Sequence, residues 1–254
     1  MRSEGPVTGA ISKRLELPVL FESVHEMAVI KPAGMATELT TDPKGTSLIS
    51  RVRAAAPNDA IPKLPHRLDR VTRGIVVVAL SEEGIRFHNE QLRQGAWEKI
   101  YMARLDVSRL GDPESMIGEH KVHLRTRDGR SEVVRSGGRR AITEVLAVAL
   151  TRDCEDEGHA LLRLHTGRYH QIRATMAHLG APLVGDWLYG ESPRRDDERF
   201  YLEHTALRFT PYGEEEPVAL HWRDDPKREA IASTLRSALD RILAGWESEN
   251  GAKR

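Results

Sequence analysis

With 254 residues, 39% of them hydrophobic and 30% charged, the chain can bury a sizeable core, and no run approaches the roughly 20 apolar residues of a membrane-spanning helix. A single cysteine, Cys154, excludes an internal disulfide and any cysteine-based metal cluster. The formal charge balances to zero but is segregated: residues 51–104 hold ten Lys/Arg against six Asp/Glu, and residues 121–140 seven against two. A basic face on a neutral protein can track a phosphate backbone, although the same charges also fit a plain solvated surface. The first residues lack the apolar core of a signal peptide, so cytoplasm is the expected location.

Residues 1–20 read as a loosely ordered arm before one domain over residues 21–254. A short strand is expected at 27–30, and Lys31-Pro32-Ala33-Gly34 turns out of it. Residues 46–56 read as a helix carrying Leu48 and Val52, stopped at Pro57. Residues 75–80 form an unbroken apolar run after Gly74, expected as a strand buried on both faces. The charged cluster His66-Arg67-Leu68-Asp69-Arg70 precedes it, at the rim of a core where catalytic groups are best positioned. By itself, an aspartate among arginines reads as a surface ion pair.

A helix is expected over 82–94, with Ser81 as N-cap, Ile85 and Leu92 on one face, and Gly95 as its stop. Residues 97–107 alternate as a strand with Trp97, Lys99, Tyr101, Ala103 and Leu105 on one side. The tract 121–140 has too little apolar content for core. Its Asp128-Gly129 pair marks a hairpin tip and Gly137-Gly138 a flexible end; an RNA-embracing loop and a solvated hairpin both fit. Strands over 141–150 and 159–165 flank the acidic loop around Cys154. A helix follows at about 169–179, on Ile172, Met176 and Leu179, with Gly180 as its cap. Strands near 204–209 and 217–222 precede a last helix at about 226–246. Asp225 and Pro226 open it, and Ile231, Leu235, Leu239, Ile242 and Trp246 form its apolar stripe. Paired strands with irregularly placed helices make the chain α+β and not doubly wound.

The stretch HRLDRVTRG (66–74) resembles the HRLDxxTSG motif of the RluA/RsuA-type pseudouridine synthases. LHTGRYHQIRATMAHLGAPLVGDWLYG (164–190) is similar to that family's LxTGRxHQIRxHxAxxGxPxxGDxxYG. EKIYMA (98–103) is similar to the segment bearing its active-site tyrosine, and KPAG (31–34) to its KPxG. The resemblance spans roughly residues 25–225 and is to the RluA-like branch, without the S4 module that precedes many relatives. Arg73 stands where Ser is usual, Leu80 where Lys is common, and Thr175 where a His follows HQIR. Met35-Ala36-Thr37 departs from the segment after KPxG.

The resemblance implies the pseudouridine synthase fold, a large mixed, mainly antiparallel sheet flanked by helices and loops. It also implies isomerisation of specific uridines in rRNA or tRNA. Breaking the C1′–N1 bond, turning the uracil and rejoining it through C5 adds no electrons and loses no group, so neither cofactor nor metal is required. One carboxylate must act as nucleophile or base at the sugar, in a site that excludes water. By resemblance that residue is Asp69, with Arg173 as its paired cation. The base must leave the stack: Arg67 fills the vacated space, and Tyr101 stacks on the uracil, its hydroxyl receiving the C5 proton. On the substrate side His66, Arg168, His170 and Gln171 support backbone and loop geometry, and Thr72 completes the Asp69 turn. A satisfied structural role for His170 fits as well as RNA contact. The expected partner is RNA, and the expected state a monomer without membrane attachment. Two other readings remain: a metal-dependent hydrolase using His66, Asp69 and His170, and a catalytically silent RNA-binding protein. His165, His170 and His178, spaced five and eight apart, do not match the i, i+4 pair of a zinc helix. Thirteen aromatics are few for a stacking-platform RNA binder.

Overall fold

The computed structural model describes residues 11–40, 46–190, 198–222 and 229–251. Its strands are β1 (Val19–Glu22), β2 (Glu26–Lys31), β3 (Arg73–Ala79), β4 (Glu98–Asp106) and β5 (Gly118–Arg127). They continue as β6 (Arg130–Val133), β7 (Arg139–Leu150), β8 (Glu157–Leu164), β9 (Leu202–Phe209) and β10 (Val218–His221). The helices are α1 (Leu48–Ala55), α2 (Glu82–Gln94), α3 (Gln171–His178) and α4 (Ser233–Gly251). The class is α+β, as expected. The chain divides into two compact units, Met1–Trp97 with Leu207–Trp222, and Glu98–Ala206 with Arg223–Arg254. The division falls within β9, inside the stretch read from sequence as one domain.

In the first unit β1, β2 and β3 form an antiparallel ladder, with Glu26 opposite Ala79 and Lys31 opposite Gly74. Ile75 to Ala79 are wholly enclosed, the two-sided burial that an unbroken apolar run predicts. Ile75 and Val77 join Ala28, Ile30, Trp97, Leu207 and Phe209 in one core cluster. α2 occupies its expected span: Ser81 Oγ accepts the Gly84 N–H at 3.0 Å, and Gly95 ends the helix with φ 71°. A β-carbon on Gly84 would lie 2.6 Å from the His25 carbonyl oxygen, so glycine lets the first turn of α2 approach the β1–β2 turn. The expected arm is packed from residue 11 onward. Glu22 accepts the N–H groups of Ile11 and Ser12 at 3.0 and 3.1 Å, Ile11 and Leu15 are buried, and β1 already begins at Val19.

In the second unit the antiparallel order is β4-β8-β7-β5-β6. Lys99 to Ala103 are all buried, so β4 lacks the exposed face that simple alternation implies. β5 and β6 close as a hairpin with Arg127 opposite Arg130. Asp128 and Gly129 have φ 49° and 73°, the paired positive values of a two-residue type I′ turn. The tract is not wholly solvated, because Leu124 packs with Ala141, Ala174 and Tyr189 in a small core.

Two helix starts differ from expectation. α3 begins at Gln171, not near 169, because His170 takes a left-handed conformation with φ 51°. α4 begins at Ser233; Asp225 and Pro226 lie outside the described residues. Residues 229–232 are not helical, and Glu229 is held there by Arg104 at 3.1 Å and His159 at 2.6 Å. Leu235, Leu239, Leu243 and Trp246 are the buried stripe, and Ile231 precedes the helix.

Candidate active site

Asp69 lies in the first unit, in the loop that enters β3, and the backbone on both sides of it is fastened. Before it, the Ile61 N–H donates to Leu80 O, and Lys63 and Ala79 exchange hydrogen bonds, each at 2.9 Å. His66 continues this edge with its side chain, Nε2 accepting the Val77 N–H at 2.9 Å. An accepting Nε2 leaves the proton on Nδ1. Thr37 then staples Leu68: its hydroxyl donates to Leu68 O at 2.6 Å and accepts the Leu68 N–H at 3.2 Å. After Asp69, the Thr72 N–H returns to Asp69 O at 3.0 Å. Gly34 N–H donates to Arg70 O and Arg70 Nε to Gly34 O, both at 2.8 Å. Thr72 is 2% exposed and supports the loop from inside, whereas Arg67 is exposed and ion-paired with Glu38.

Lys31 is the hub of this loop. It is wholly buried, and Nζ donates to Pro32 O at 3.0 Å, Met35 O at 2.8 Å and Arg70 O at 3.4 Å. These carbonyls belong to the turn after β2 and the turn after Asp69, so one ammonium joins both. Burial pushes Lys31 down to about 7; the Asp69 carboxylate opposes that shift and Arg70 adds to it. Between about 7 and 10.5 the unfolded chain therefore binds more protons, and Lys31 makes stability rise with pH across that window. Lys31→Met should flatten this limb of the stability–pH curve in urea unfolding. An equally steep limb in the variant would contradict the buried charge.

The second unit holds Arg173, 6% exposed. Its Nε and NH2 each lie 2.7 Å from an Asp186 oxygen, and NH1 lies 3.0 Å from His170 Nε2. A guanidinium has only donors, so His170 Nε2 accepts and Nδ1 carries the ring proton. Nδ1 then donates to the Tyr189 hydroxyl at 3.0 Å, which also accepts the Ser131 N–H at 2.8 Å. Burial pushes the Tyr189 phenol up to about 12. Asp186 Oδ1 further accepts the Leu188 and Tyr189 N–H groups at 3.1 and 3.3 Å. The HQIR and GDxxYG segments thus close on one another through charge-assisted bonds.

Gln171 is fully engaged. Oε1 accepts from the Thr166 hydroxyl at 2.7 Å and the Arg168 N–H at 3.0 Å, while Nε2 donates to Ile142 O and Thr143 Oγ1, both at 3.0 Å. It shapes the turn into α3. Arg168 Nε donates to Arg140 O at 3.0 Å. Tyr101 is 5% exposed and lies flat against His204, ring centres 4.5 Å apart at 11°. Thr175, where the family motif has His, is wholly buried.

A profile of the family described as RNA pseudouridylate synthase matches residues 25–178. The chain belongs to this family. The Ribosomal large subunit pseudouridine synthase D of Xanthomonas campestris pv. campestris is 35% identical over 191 residues, covering 72% of this chain and 54% of that protein. The protein of the same name from Pseudomonas aeruginosa is 30% identical over 185 residues, covering 71% and 55%. The chain therefore spans about half the length of these curated relatives. The structure of Human RNA Pseudouridylate Synthase Domain Containing 1 matches with a TM-score of 0.68 at 21% identity, over 94% of this chain and 96% of that one. That likeness concerns the fold.

As a family member, the protein carries His66, Arg67, Asp69 and Thr72 in its first unit, and Tyr101, Arg168, His170, Gln171 and Arg173 in its second. Sequence reading gave no role to Lys31, Thr37, Lys99, Asp186 or Tyr189. Lys31 lay in the KPAG match and Asp186 in GDWLYG, so the motifs marked them; only the fold shows what they hold. Among the described residues no three His, Cys, Asp or Glu groups are placed to hold a metal ion. His66 and His170 are committed to Val77, Arg173 and Tyr189. Among the described residues no helix is long and apolar enough to cross a membrane.

Proposed function

We propose that the protein is an RNA pseudouridine synthase that isomerises specific uridines in ribosomal or transfer RNA, acting in the cytoplasm as a monomer without cofactor or metal. The observation that carries this reading is the loop of Asp69. In a chain of this family, the motif's one carboxylate stands between backbone segments fixed by Thr37, Lys31 and the Gly34–Arg70 pair. A group that must meet a sugar carbon needs such fixing, because effective molarity falls quickly with positional freedom.

Asp69 attacks or deprotonates at the sugar, the C1′–N1 bond breaks, and the detached uracil turns to present C5. Arg173 supplies the cation that keeps the carboxylate ionised while water is excluded; Asp186 and His170 hold its guanidinium in one orientation. Arg67 leaves Glu38 to fill the space of the flipped base. The basic hairpin of Arg125, Arg127, Arg130 and Arg135 faces the RNA backbone.

Tyr101 separates into two functions that one variant distinguishes. Tyr101→Phe keeps the ring on His204, so RNA affinity should barely change. Losing the hydroxyl should slow removal of the C5 proton by about 10²–10⁴-fold and make that step rate-limiting. RNA deuterated at C5 should then show a primary isotope effect in the variant that wild type lacks. Near-wild-type turnover without an isotope effect would leave Tyr101 as a stacking surface only.

For the function as a whole, a pseudouridine map of ribosomal and transfer RNA from cells with and without the protein is the test. Loss of one or a few defined pseudouridines is expected. Identical maps would contradict the proposal.

A further inference from the structure

The second unit holds a cation that the chemistry above does not use. Lys99 stands on β4 two residues before Tyr101, so the two side chains leave the same face of the strand. Lys99 is 7% exposed. Among the described residues its ammonium makes no hydrogen bond and no ion pair, and its Nζ is not among the polar side-chain atoms sealed from solvent, so the tip of a buried side chain stays open to a ligand. Burying an ammonium costs several kcal/mol unless a partner offsets it, and methionine would fill the same space without that cost.

The surrounding charge deepens the contrast. The charge that acts on Lys99 is another cation, Arg168, on which Arg139 acts in turn. Burial pushes Lys99 down to about 8, and Arg168 pushes it the same way. Arg168 is itself fastened by its Nε bond to Arg140 O and by Gln171 Oε1 on its N–H, each 3.0 Å. The β4–β8 register, with Ile100 opposite Arg163, sets Lys99 against the end of β8 at Leu164, from which the chain turns into Arg168. Among the described residues no carboxylate acts on either cation, the inverse of an ion pair. The two fit an anion that arrives with the ligand.

We propose that Lys99 and Arg168 form a phosphate site that takes a backbone phosphodiester of the bound RNA next to the uridine on Tyr101. The proposal rests on the reading of RNA as substrate. A phosphate offers the acceptor oxygens that the Lys99 ammonium lacks and that the terminal nitrogens of Arg168, whose Nε bonds Arg140 O, can share. Gripping it two residues from Tyr101 on the same strand face fixes the nucleotide's sugar while the base turns.

The test compares wild type with Lys99→Met and Arg168→Gln in thermal unfolding and in affinity for a single-stranded oligouridylate at several salt concentrations. Lys99→Met should melt higher than wild type yet bind RNA more weakly, since the charge is kept at a cost to stability. Each variant should lower the slope of log affinity against log salt by about 0.7, the loss of one phosphate contact on a single strand. Inorganic phosphate, against chloride at equal ionic strength, should raise the melting temperature of wild type more than that of Lys99→Met. A Lys99→Met protein that melts lower, with its salt slope unchanged, would make Lys99 a structural group and overturn the proposal. Should Lys99→Met not fold, an unchanged slope in Arg168→Gln overturns it equally. Phosphate protection that depends on Lys99 while RNA slopes stay at wild type would overturn the phosphodiester assignment. None of these measurements needs turnover. A chain that binds RNA through Lys99 but cannot isomerise uridine would refute the proposed reaction and leave the phosphate site standing.

Discussion

Asp69→Asn should abolish isomerisation while leaving the fold and RNA affinity close to wild type. The amide keeps the carboxylate's shape, and the loop has fastenings that run through other groups. Thr37 holds Leu68, Lys31 holds Pro32, Met35 and Arg70, and Thr72 binds the Asp69 carbonyl through the main chain. What disappears is the proposed nucleophile or base. Removing such a group generally costs far more than a hundredfold, on the scale of about 10⁴–10⁶ seen when catalytic side chains that act as a unit are deleted. Single-turnover rates on RNA lacking the modification measure it. A variant above about a hundredth of the wild-type rate would remove Asp69 from the chemistry.

The second large effect is on stability. Asp186→Ala should destabilise the protein by about 3–5 kcal/mol, because it leaves the buried Arg173 guanidinium without its bidentate partner. The Arg173 and Asp186 side chains are 7% and 0% exposed. The carboxylate also accepts two main-chain N–H groups at the turn before Tyr189, which would be orphaned. Glu38→Gln offers the contrast, since its ion pair with Arg67 has side chains 56% and 53% exposed. Exposed pairs contribute about 0–1 kcal/mol, so that variant should unfold at nearly the wild-type urea concentration. Equal urea midpoints for Asp186→Ala and wild type would mean that Asp186 does not hold Arg173.

What could be read from sequence follows from how local each cause is. α2 was legible to the residue because Ser81 and Gly95 set its ends within their own turns. β3 was legible because five enclosed apolar residues in a row have few alternatives. The start of α3 was not, since His170 is drawn into a left-handed conformation while its ring bonds Arg173 and Tyr189, the latter 19 positions away. The start of α4 was missed for the same kind of reason: Glu229 answers to Arg104 and His159, far off in the chain.

At the site the motifs named Asp69, Tyr101 and Arg173 but not what holds them. Lys31 is 38 positions from Asp69, and the two turns meet through contacts distant in sequence, the pairing of Lys31 with Gly74 and the Gly34–Arg70 exchange among them. Thr37 falls in the segment that departs from the family pattern, so no motif pointed to it. His66 and Gln171 were expected to support loop geometry, and their bonds to Val77 N–H and to Thr166, Arg168, Ile142 and Thr143 are of that kind. Their contact with RNA belongs to the proposal.

The most direct test of the central claim uses RNA carrying tritium at C5 of its uridines. Joining C5 to C1′ expels the C5 hydrogen to water, whereas binding alone leaves it in place. The purified protein should release tritium from ribosomal or transfer RNA lacking its modification, up to a small whole number of equivalents per RNA, and Asp69→Asn should release none. Retention of all the tritium by RNA that the wild-type protein demonstrably binds would contradict the account.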